Sequence, residues 1–390
     1  MSELTQISAA ARAAAALQQP TWLATVVRVR GSAYRHAGAR LLFSNDQALA
    51  GSVSGGCLEA SIVRKGPWAA RERPVCLRYE GGREDEDSEP ARGSGCDGTV
   101  DILLEKADFG TPASALDALE RCFSQENRCA LATVFESSNP AVPVGARLIL
   151  HEDGEFSASV LPGAAIATLQ AAAARALSEP RTRAHSLRAA DFEVLLEVFE
   201  PPPHLFVFGS GPDALPLVEF ARGLGLGVTV CDPNPRLAVR ERFSALADLH
   251  LGSLDAVLPK LRARRTPLAV VMSHHYPTDC AALRLLLDSP ALYVGVLGPR
   301  RRTERVLGEL FPDASELAER ALAGLLAPIG LDLGAETAAQ IALSIIAEIQ
   351  AVLTRASAQP LSRSGIRPIH RPQLALDLPS AAELGRTGTA

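Results

Sequence analysis

The sequence predicts an α/β protein, with an N-terminal duplicated α/β region followed by a C-terminal Rossmann-like, doubly wound parallel-sheet domain. Three observations predict this class. The pattern of strand-like and helix-like segments before residue 110 is restated after it. Pro201, Pro202 and Pro203 then form a stiff linker. Beyond the linker, apolar strands alternate with helices, which is typical of a parallel sheet.

The elements follow from hydrophobic periodicity and turn residues. In the first copy we expect strands at Leu23–Val29, Ala39–Phe43 and Ala50–Val53, and a helix from Leu58. In the last domain we expect strands at Leu205–Phe208, Gly227–Cys231, Leu268–Met272 and Tyr293–Leu297, and helices at Pro212–Leu224 and Thr337–Leu353. The predicted segments are therefore residues 1–110, 111–200 and 201–355, followed by a flexible proline-rich tail at 356–390.

The composition excludes several function classes. The 390 residues are 47% hydrophobic and 21% charged, the balance of an ordinary globular chain. The net charge is -5 and no basic stripe occurs, so we expect no nucleic-acid partner. No run of 18 uncharged apolar residues is present, so we expect no membrane association. Seven scattered cysteines without a CxxC spacing indicate reduced thiols in a cytoplasmic protein.

The repeat is read from short blocks that recur in the same order. Residues 23–26 and 38–41 recur as 131–134 and 145–148, and residues 103–105 recur as 195–197. The copies differ at two glycine-rich loops, where Cys57 faces Ala164 and residues 95–98 face 187–190. If these loops were only turns that the fold requires, the second copy should have kept their glycines. The comparison therefore favours a functional role for the loops of the first copy.

The first of these loops has residue types suited to binding a metal and an anion. It contains Ser54, Gly55, Gly56, Cys57 and Glu59 and runs into a predicted helix. Adjacent glycines bring bare N–H groups close to a ligand, and a helix start stabilises a thiolate. We therefore expect this loop to bind cofactor, with Cys57 as the metal ligand. Cys96, in the second loop, is a second candidate contact.

The turn after residue 208 resembles a dinucleotide fingerprint. Gly209 and Gly211 follow a strand and open a helix, and Asp232 ends the next strand, where a ribose would be recognised. Pro212 and Asp213 depart from the fingerprint, because one removes an N–H and the other adds negative charge beside a pyrophosphate. The open alternatives are NAD(P), another phosphorylated ligand, or a Rossmann framework without a nucleotide.

One histidine occupies a position where sheets of this kind present ligand-binding side chains. His274 follows the strand predicted to end at Met272, at the carboxyl edge. It is a candidate ligand contact, with a purely structural role in the loop as the alternative.

Several motifs resemble one known family. They occur in both predicted domains, at residues 31–40, 51–59, 270–274, 293–298 and 328–337. Together they make the chain similar to the XdhC/CoxI family of xanthine dehydrogenase accessory proteins. Cys57 matches the loop cysteine of that family. Cys96 matches a cysteine that the family follows with two glycines, whereas here Asp97 intervenes.

The resemblance implies a maturation chaperone rather than an enzyme. Members of the family bind the molybdenum cofactor (molybdopterin), help it acquire its terminal sulfur and deliver it to xanthine dehydrogenase or a related molybdenum hydroxylase. The implied partners are that hydroxylase and a cysteine desulfurase, and we expect a homodimer formed with the help of the Rossmann domain. Two alternatives are an NAD(P)-dependent oxidoreductase and an interaction scaffold that binds no cofactor.

Overall fold

The computed structural model of the chain describes residues 3–80, 98–111, 113–179, 184–189, 191–234, 237–312, 324–363 and 376–377. These residues belong to two compact units, one spanning Glu3–Pro201 with the short strand at 376–377, the other beginning at Pro202. Each unit has its own sheets and its own hydrophobic cores.

The first unit contains two sheets, antiparallel except for one short parallel edge strand, and the helices packed on them. Its helices are α1 (Glu3–Ala16), α2 (Glu59–Ala69), α3 (Ala115–Gln125) and α4 (Gly163–Ser178). Its strands are β1 (Trp22–Arg30), β2 (Arg40–Phe43), β3 (Ala48–Gly51), β4 (Val75–Glu80), β5 (Thr99–Lys106), β6 (Cys129–Ser137), β7 (Arg147–His151), β8 (Phe156–Ala158), β9 (Ala184–Arg188), β10 (Phe192–Phe199) and β16 (Leu376–Asp377).

The two sheets of this unit have the same strand order. The first is β3-β2-β1-β5-β4, and the second contains β8-β7-β6-β10-β9, with β16 added beside β9. Both sheets also have a β-bulge at the same position. The pairing of β1 with β5 shifts register at Val27, and the pairing of β6 with β10 shifts register at Phe135, the equivalent position of the repeat. A β-bulge fixes register and twist, so both copies share one sheet geometry.

The copies are joined through a small apolar core that contains the two bulge residues. Val27 and Leu103 of the first copy pack with their counterparts Phe135 and Leu195 of the second, and all four side chains are buried. Each copy therefore contributes the same two positions to the contact.

Two reciprocal ion pairs flank this contact. Arg40 of the first copy binds Glu197 of the second with Nη1–Oε1 and Nη2–Oε2 distances of 2.8 and 2.5 Å, and both side chains are 3% exposed. Arg147, the counterpart of Arg40, binds Glu105, the counterpart of Glu197. Removing one partner of such a pair leaves an uncompensated buried charge, so the pairs specify how the two copies meet.

A third cluster, centred on Arg28, breaks this reciprocity. The Arg28 guanidinium donates to Asp101 at 2.6 Å, to Glu136 at 2.7 Å and to Glu193. Its side chain is 7% exposed, and three carboxylates therefore satisfy one buried cation. The position equivalent to Arg28 in the second copy is Glu136 itself, so the two counterparts bind each other.

The second unit is a Rossmann domain. Its strands are β11 (His204–Phe208), β12 (Gly227–Asp232), β13 (Asp248–Leu251), β14 (Pro267–Val271) and β15 (Tyr293–Val296). Its helices are α5 (Ala214–Gly223), α6 (Leu237–Phe243), α7 (Val257–Arg262), α8 (Tyr276–Leu287), α9 (Arg300–Leu310) and α10 (Ala338–Thr354), with a 3-10 turn at Leu254–Ala256. The sheet is parallel in the order β13-β12-β11-β14-β15. Helices α5 and α10 pack on one face and α7, α8 and α9 on the other.

The predicted fold class is confirmed: a duplicated α/β region precedes a Rossmann-like parallel-sheet domain. The helix expected from Pro212 begins at Ala214 instead, because residues 211–213 form the turn after β11. The tail at 364–375 and 378–390 lies outside the described residues, and Leu376–Asp377 pairs with β9. No described helix is both long enough and apolar enough to cross a lipid bilayer.

Candidate functional site

The loop between β3 and α2 is organised around the carboxylate of Glu59. Its Oε1 accepts hydrogen bonds from the Ser52 hydroxyl at 2.7 Å and from the N–H groups of Val53 at 3.0 Å and Ser54 at 2.9 Å. Its Oε2 accepts from the Ser54 hydroxyl and from the N–H of Gly56 at 2.9 Å. The loop thus folds around an anion that the chain itself supplies at the start of α2, where the helix dipole favours negative charge.

These hydrogen bonds keep Glu59 ionised. Burial by itself would raise the pKa of the Glu59 carboxyl, but the hydroxyls of Ser54 and Ser52 and the Ser54 N–H outweigh it. The pKa falls from 4.5 to about 2 as a result. A carboxylate that accepts several N–H and O–H donors is stabilised in its charged form.

The two glycines of the loop have the expected left-handed backbone. Gly55 has a φ of 80° and Gly56 a φ of 126°. A Cβ on Gly55 would lie 2.7 Å from Cε1 of Tyr34, whereas a Cβ on Gly56 would have open space around it. Their N–H groups are already used, since Gly55 donates to the Ser52 hydroxyl at 2.9 Å and Gly56 to Glu59. The expectation that these glycines bind a ligand's anion therefore stays a prediction, and it requires a rearrangement of the loop.

Cys57 is exposed at the end of this loop, two residues before the start of α2. Its Sγ lies 3.9 Å from the carbonyl oxygen of Ser54. Within the described residues, no group of three or more His, Cys, Asp or Glu side chains is placed to hold a metal ion. Among the described residues of this loop, Cys57 is the residue that offers a thiol to a metal. Cys96, the second predicted cysteine, lies outside the described residues.

A residue at the start of the chain also holds the loop. Glu3, the first residue of α1, accepts the Ser52 N–H at 3.0 Å and forms an ion pair with Arg35. Arg35 follows Tyr34, which packs on Gly55 and is 72% exposed. Sequence reasoning missed Glu3 and Tyr34, because neither lies in the glycine-rich segment.

One cleft of this unit lies between the two copies and is lined by residues of both, such as Arg73 and Glu105 of the first copy. Its volume is about 260 Å³, and its lining includes Gly145, Arg147 and Ser159, the counterparts of Gly38, Arg40 and Ser52. Neither Cys57 nor Glu59 lines it. Cys57 is thus an exposed thiol that lies outside this cleft.

The second predicted site lies at the carboxyl edge of the Rossmann sheet. Gly209 has a φ of 132° and passes so close to β14 that a Cβ would lie 2.6 Å from the Met272 carbonyl. Ser210 donates to Asp232, whose other oxygen accepts the Asn234 N–H at 2.8 Å. The turn between β11 and α5 and the end of β12 are thus connected through the carboxylate that was expected to meet a ribose.

Asp213 and His274 meet at the same edge. His274 Nε2 lies 2.5 Å from Asp213 Oδ2, and a Cβ on Gly211 would lie 2.5 Å from Asp213 Oδ1. His274 has a φ of 57°, an uncommon conformation for a non-glycine residue. The carboxylate of Asp213 therefore lies over Gly211, at the turn where a pyrophosphate would approach the backbone.

A wide depression also opens on this unit. It has a volume of about 460 Å³. Its walls come from the end of β15 and from the segment that leads into α10, and include Leu297, Ile329, Leu331, Asp332, Leu333, Glu336 and Ile341.

Comparisons with known proteins match both units. The family model described as the XdhC Rossmann domain matches residues 205–349. The model described as the XdhC and CoxI family matches residues 14–80 and again residues 122–188. The chain belongs to the XdhC and CoxI family. The two matches to this family model fall one in each copy of the repeat.

Individual proteins are also similar to this chain. The chain is 29% identical over 336 residues to a probable xanthine dehydrogenase subunit of Bacillus subtilis (strain 168), covering 85% of this chain and 93% of that protein. It is 26% identical over 248 residues to the uncharacterized protein YqeB of Escherichia coli (strain K12), covering 60% and 45%. A crystal structure of a xanthine dehydrogenase from Bacillus halodurans matches with a TM-score of 0.69 at 26% identity, covering 94% of this chain and 98% of that one.

In this member of the XdhC and CoxI family, the predicted site residues form two groups. Ser54, Gly55, Gly56, Cys57 and Glu59 share one loop of the first unit. Gly209, Gly211, Asp232 and His274 lie along one sheet edge of the Rossmann domain. The contact that links His274 to this edge is made by Asp213, a residue that the sequence only marked as a departure from the dinucleotide pattern.

Proposed function

We propose that the chain is an accessory protein that binds the molybdenum cofactor at the Cys57 loop, assists its sulfuration and passes it to xanthine dehydrogenase or a related molybdenum hydroxylase. One observation carries the proposal. An exposed thiol stands on a tightly braced loop, and the other copy of the same fold has neither the thiol nor the brace. Membership of the XdhC and CoxI family supports the choice of cargo, and the names of two relatives, which mention xanthine dehydrogenase, support the choice of client.

The residues of the loop are suited to bind the metal of the molybdenum cofactor. The cofactor brings a metal that accepts thiolate ligands, together with an anionic phosphate. Cys57 supplies an exposed thiol, and Gly56 leaves open space beside it. Glu59 holds the loop with a charge that stays fixed at neutral pH. Because the N–H groups of Gly55 and Gly56 are engaged, the phosphate requires donors from elsewhere or a displacement of Glu59.

The open position of Cys57 supports transfer between proteins. An enzyme that carries out its own reaction on a small substrate usually encloses it in a cleft. Cys57 is exposed and lines neither described cavity. A carrier needs such access, since its cargo must be reached by a sulfur donor such as a cysteine desulfurase and by the receiving hydroxylase.

The experiment is anaerobic purification of the chain from cells that make the cofactor, followed by metal and pterin analysis. We expect bound molybdenum and pterin in the wild type and their loss in Cys57→Ala. The matched control is Cys280→Ala, a half-buried cysteine of the other unit, which should keep the cofactor. A wild-type protein that carries none and takes up no added cofactor would remove the proposal. Normal loading of Cys57→Ala would remove only the residue assignment.

An NAD(P)-dependent oxidoreductase is the alternative that uses the Rossmann domain. The position of Asp213 over Gly211 and the engagement of Asp232 by Ser210 and Asn234 disfavour a pyrophosphate at this turn. Titration with NADH, followed by its fluorescence, distinguishes this oxidoreductase from the cofactor carrier. Saturable binding well below millimolar concentration would favour the oxidoreductase.

A scaffold without cofactor is the other alternative. It predicts that a variant lacking both Cys57 and Cys96 still co-purifies with the hydroxylase and the desulfurase. The carrier proposal predicts that the same variant carries no molybdenum. We further propose that the protein is cytoplasmic. We also propose that it forms a homodimer, and light scattering of the purified chain tests this oligomeric state.

A further inference from the structure

Helix α2, which follows the Cys57 loop, presents a distinctive outer face. Its inner face is fixed by Ile62, which is fully buried, and by Gly66, where a Cβ would lie 2.6 Å from Cζ of Phe43. The outer positions are four or three residues apart, which is the spacing of one helix face. They are Ala60, Arg64, Trp68 and, just beyond the helix end, Arg71, all exposed. We call these four residues the Trp68 face.

Trp68 is 84% exposed. Tryptophan is among the residues that bury the most surface in folded proteins, so this degree of exposure requires an explanation. Its ring stacks on no other aromatic ring and meets no cation among the described residues. Trp68 therefore contributes little to the core of its own unit.

The surroundings of Trp68 are basic. Residues 60–73 contain four basic residues and one acidic residue, in a chain whose net charge is -5. Arg64 and Arg71 form no ion pair with any described residue. The region thus combines an exposed indole with arginines whose charges the described chain does not neutralise. Tryptophan and arginine are the residue types that dominate binding energy at protein interfaces.

The second copy of the repeat shows that the fold does not need this face. Continuing the register that pairs Cys57 with Ala164, residues Ala171, Arg175 and Ser178 of the α4 segment stand where Arg64, Trp68 and Arg71 stand in the first copy. Residues 167–180 contain one basic and one acidic residue. The helix keeps its place on the sheet without an aromatic residue there.

We infer that the Trp68 face is the docking surface for the molybdenum hydroxylase that receives the cofactor. The matching surface is acidic, with an apolar recess that takes the indole and carboxylates that pair with Arg64 and Arg71. This inference rests on the proposed function. Trp68 lies 11 residues after Cys57, about 16 Å along a helix. A partner that covers the indole would therefore also lie over the Cys57 loop.

The test measures binding of the purified, cofactor-free hydroxylase from the same organism to immobilised chain. We expect Trp68→Ala and the double variant Arg64→Glu/Arg71→Glu each to weaken binding at least about tenfold. Raising NaCl from about 50 to 300 mM should weaken the wild type, and should weaken the double variant less, because the screened charges are gone. Phe156→Ala removes another exposed aromatic residue, 48% exposed on β8, and should leave binding within about twofold.

The outcomes separate this inference from the proposed function. All variants should carry as much molybdenum and pterin as the wild type, because the face does not touch the cofactor. Binding of Trp68→Ala that equals that of Phe156→Ala would overturn the inference. Failure of the wild type to bind the hydroxylase would also overturn it. The same holds if light scattering shows that the main change in Trp68→Ala is its oligomeric state. In each of these cases the cofactor content tests the carrier role separately.

Discussion

The two copies in the first unit have the same framework and different loops. Both have the same strand order, a bulge at the same position and one arginine and one glutamate of the reciprocal pairs. At the loop before the helix, the first copy has Cys57 and Glu59 where the second has Ala164 and Ile166. The framework that the fold requires is present in both copies, whereas the thiol and the carboxylate of the loop occur only in the first copy.

The comparison also corrects one part of the sequence argument. The second copy was expected to lack the loop glycines, but Gly163 stands opposite Gly56. Gly163 has no positive φ and is the first residue of α4, whereas Gly56 has a φ of 126°. The functional difference between the copies therefore lies in the thiol and the internal carboxylate rather than in glycine content.

The largest effect on the free energy of unfolding is expected from breaking the reciprocal ion pairs that both copies share. Glu197→Ala removes the carboxylate that pairs with Arg40 and should destabilise the unit by about 3–5 kcal/mol, and Glu105→Ala should cost a comparable amount. Both tryptophans of the chain lie in this unit, so their fluorescence during urea unfolding reports it.

The control for these variants is an exposed pair. Arg12, whose side chain is 70% exposed, pairs with Glu120. Arg12→Ala should cost less than about 1 kcal/mol. Costs below about 1 kcal/mol for both buried variants would mean that the reciprocal pairs do not hold the copies together.

The next largest effect on stability is expected at Glu59, whose hydrogen bonds hold the loop that only the first copy has. Glu59→Gln replaces the charged acceptor and should cost about 1.5–3 kcal/mol at pH 7. Because the pKa of Glu59 is lowered from 4.5 to about 2, its contribution is complete above pH 4.5 and is lost as the pH falls through 2. The difference between wild type and variant should therefore shrink in urea unfolding at pH 3 and below. Glu72→Gln, at an exposed position, should show neither the cost nor the pH dependence.

A smaller effect distinguishes the two aligned glycines. Gly56→Ala forces a side chain into left-handed backbone and should cost about 1–3 kcal/mol. Gly163→Ala, at the start of a helix, should change stability by less than about 1 kcal/mol and in the favourable direction. Equal costs for the two variants, measured by the same fluorescence assay, would contradict the different backbone conformations.

The smallest effect on stability is expected when the thiol is moved to the second copy. Ala164 is exposed, so Ala164→Cys should alter the unfolding free energy by less than about 0.5 kcal/mol. Combined with Cys57→Ala, it should give a thiol that reacts with maleimide but should not restore molybdenum binding, because Ile166 cannot brace the loop. Restored loading would show that an exposed cysteine is sufficient without a bracing carboxylate in its own loop.

The sequence predicted the fold because its signals are local. The repeat was found through residues such as Leu131 and Arg147, which occupy equivalent sheet positions in both copies. The Rossmann order follows from strands that alternate with helices and from the glycine turn after β11. The helix start was placed too early, since proline suits both a turn and a first helical turn.

The remaining site features depend on contacts between distant positions. Asp213 and His274 are 61 residues apart, and Arg40 and Glu197 are 157 apart, so no local pattern pairs them. Glu59 was identified as a site residue, but its use as the internal anion of the loop depends on backbone conformation. Glycines in a sequence indicate N–H groups that a ligand could reach. Only the fold shows that acceptors of the chain itself already accept hydrogen bonds from those N–H groups.

The Arg28–Glu136 contact determines which halves can associate. These two residues occupy the same position of the repeat and lie 2.7 Å apart across the contact between the copies. Two identical first copies would place arginine against arginine there, and two second copies would place glutamate against glutamate. Like charges repel at such a distance. Only unlike halves match, so this pair disfavours the association of two first copies or of two second copies when identical chains meet.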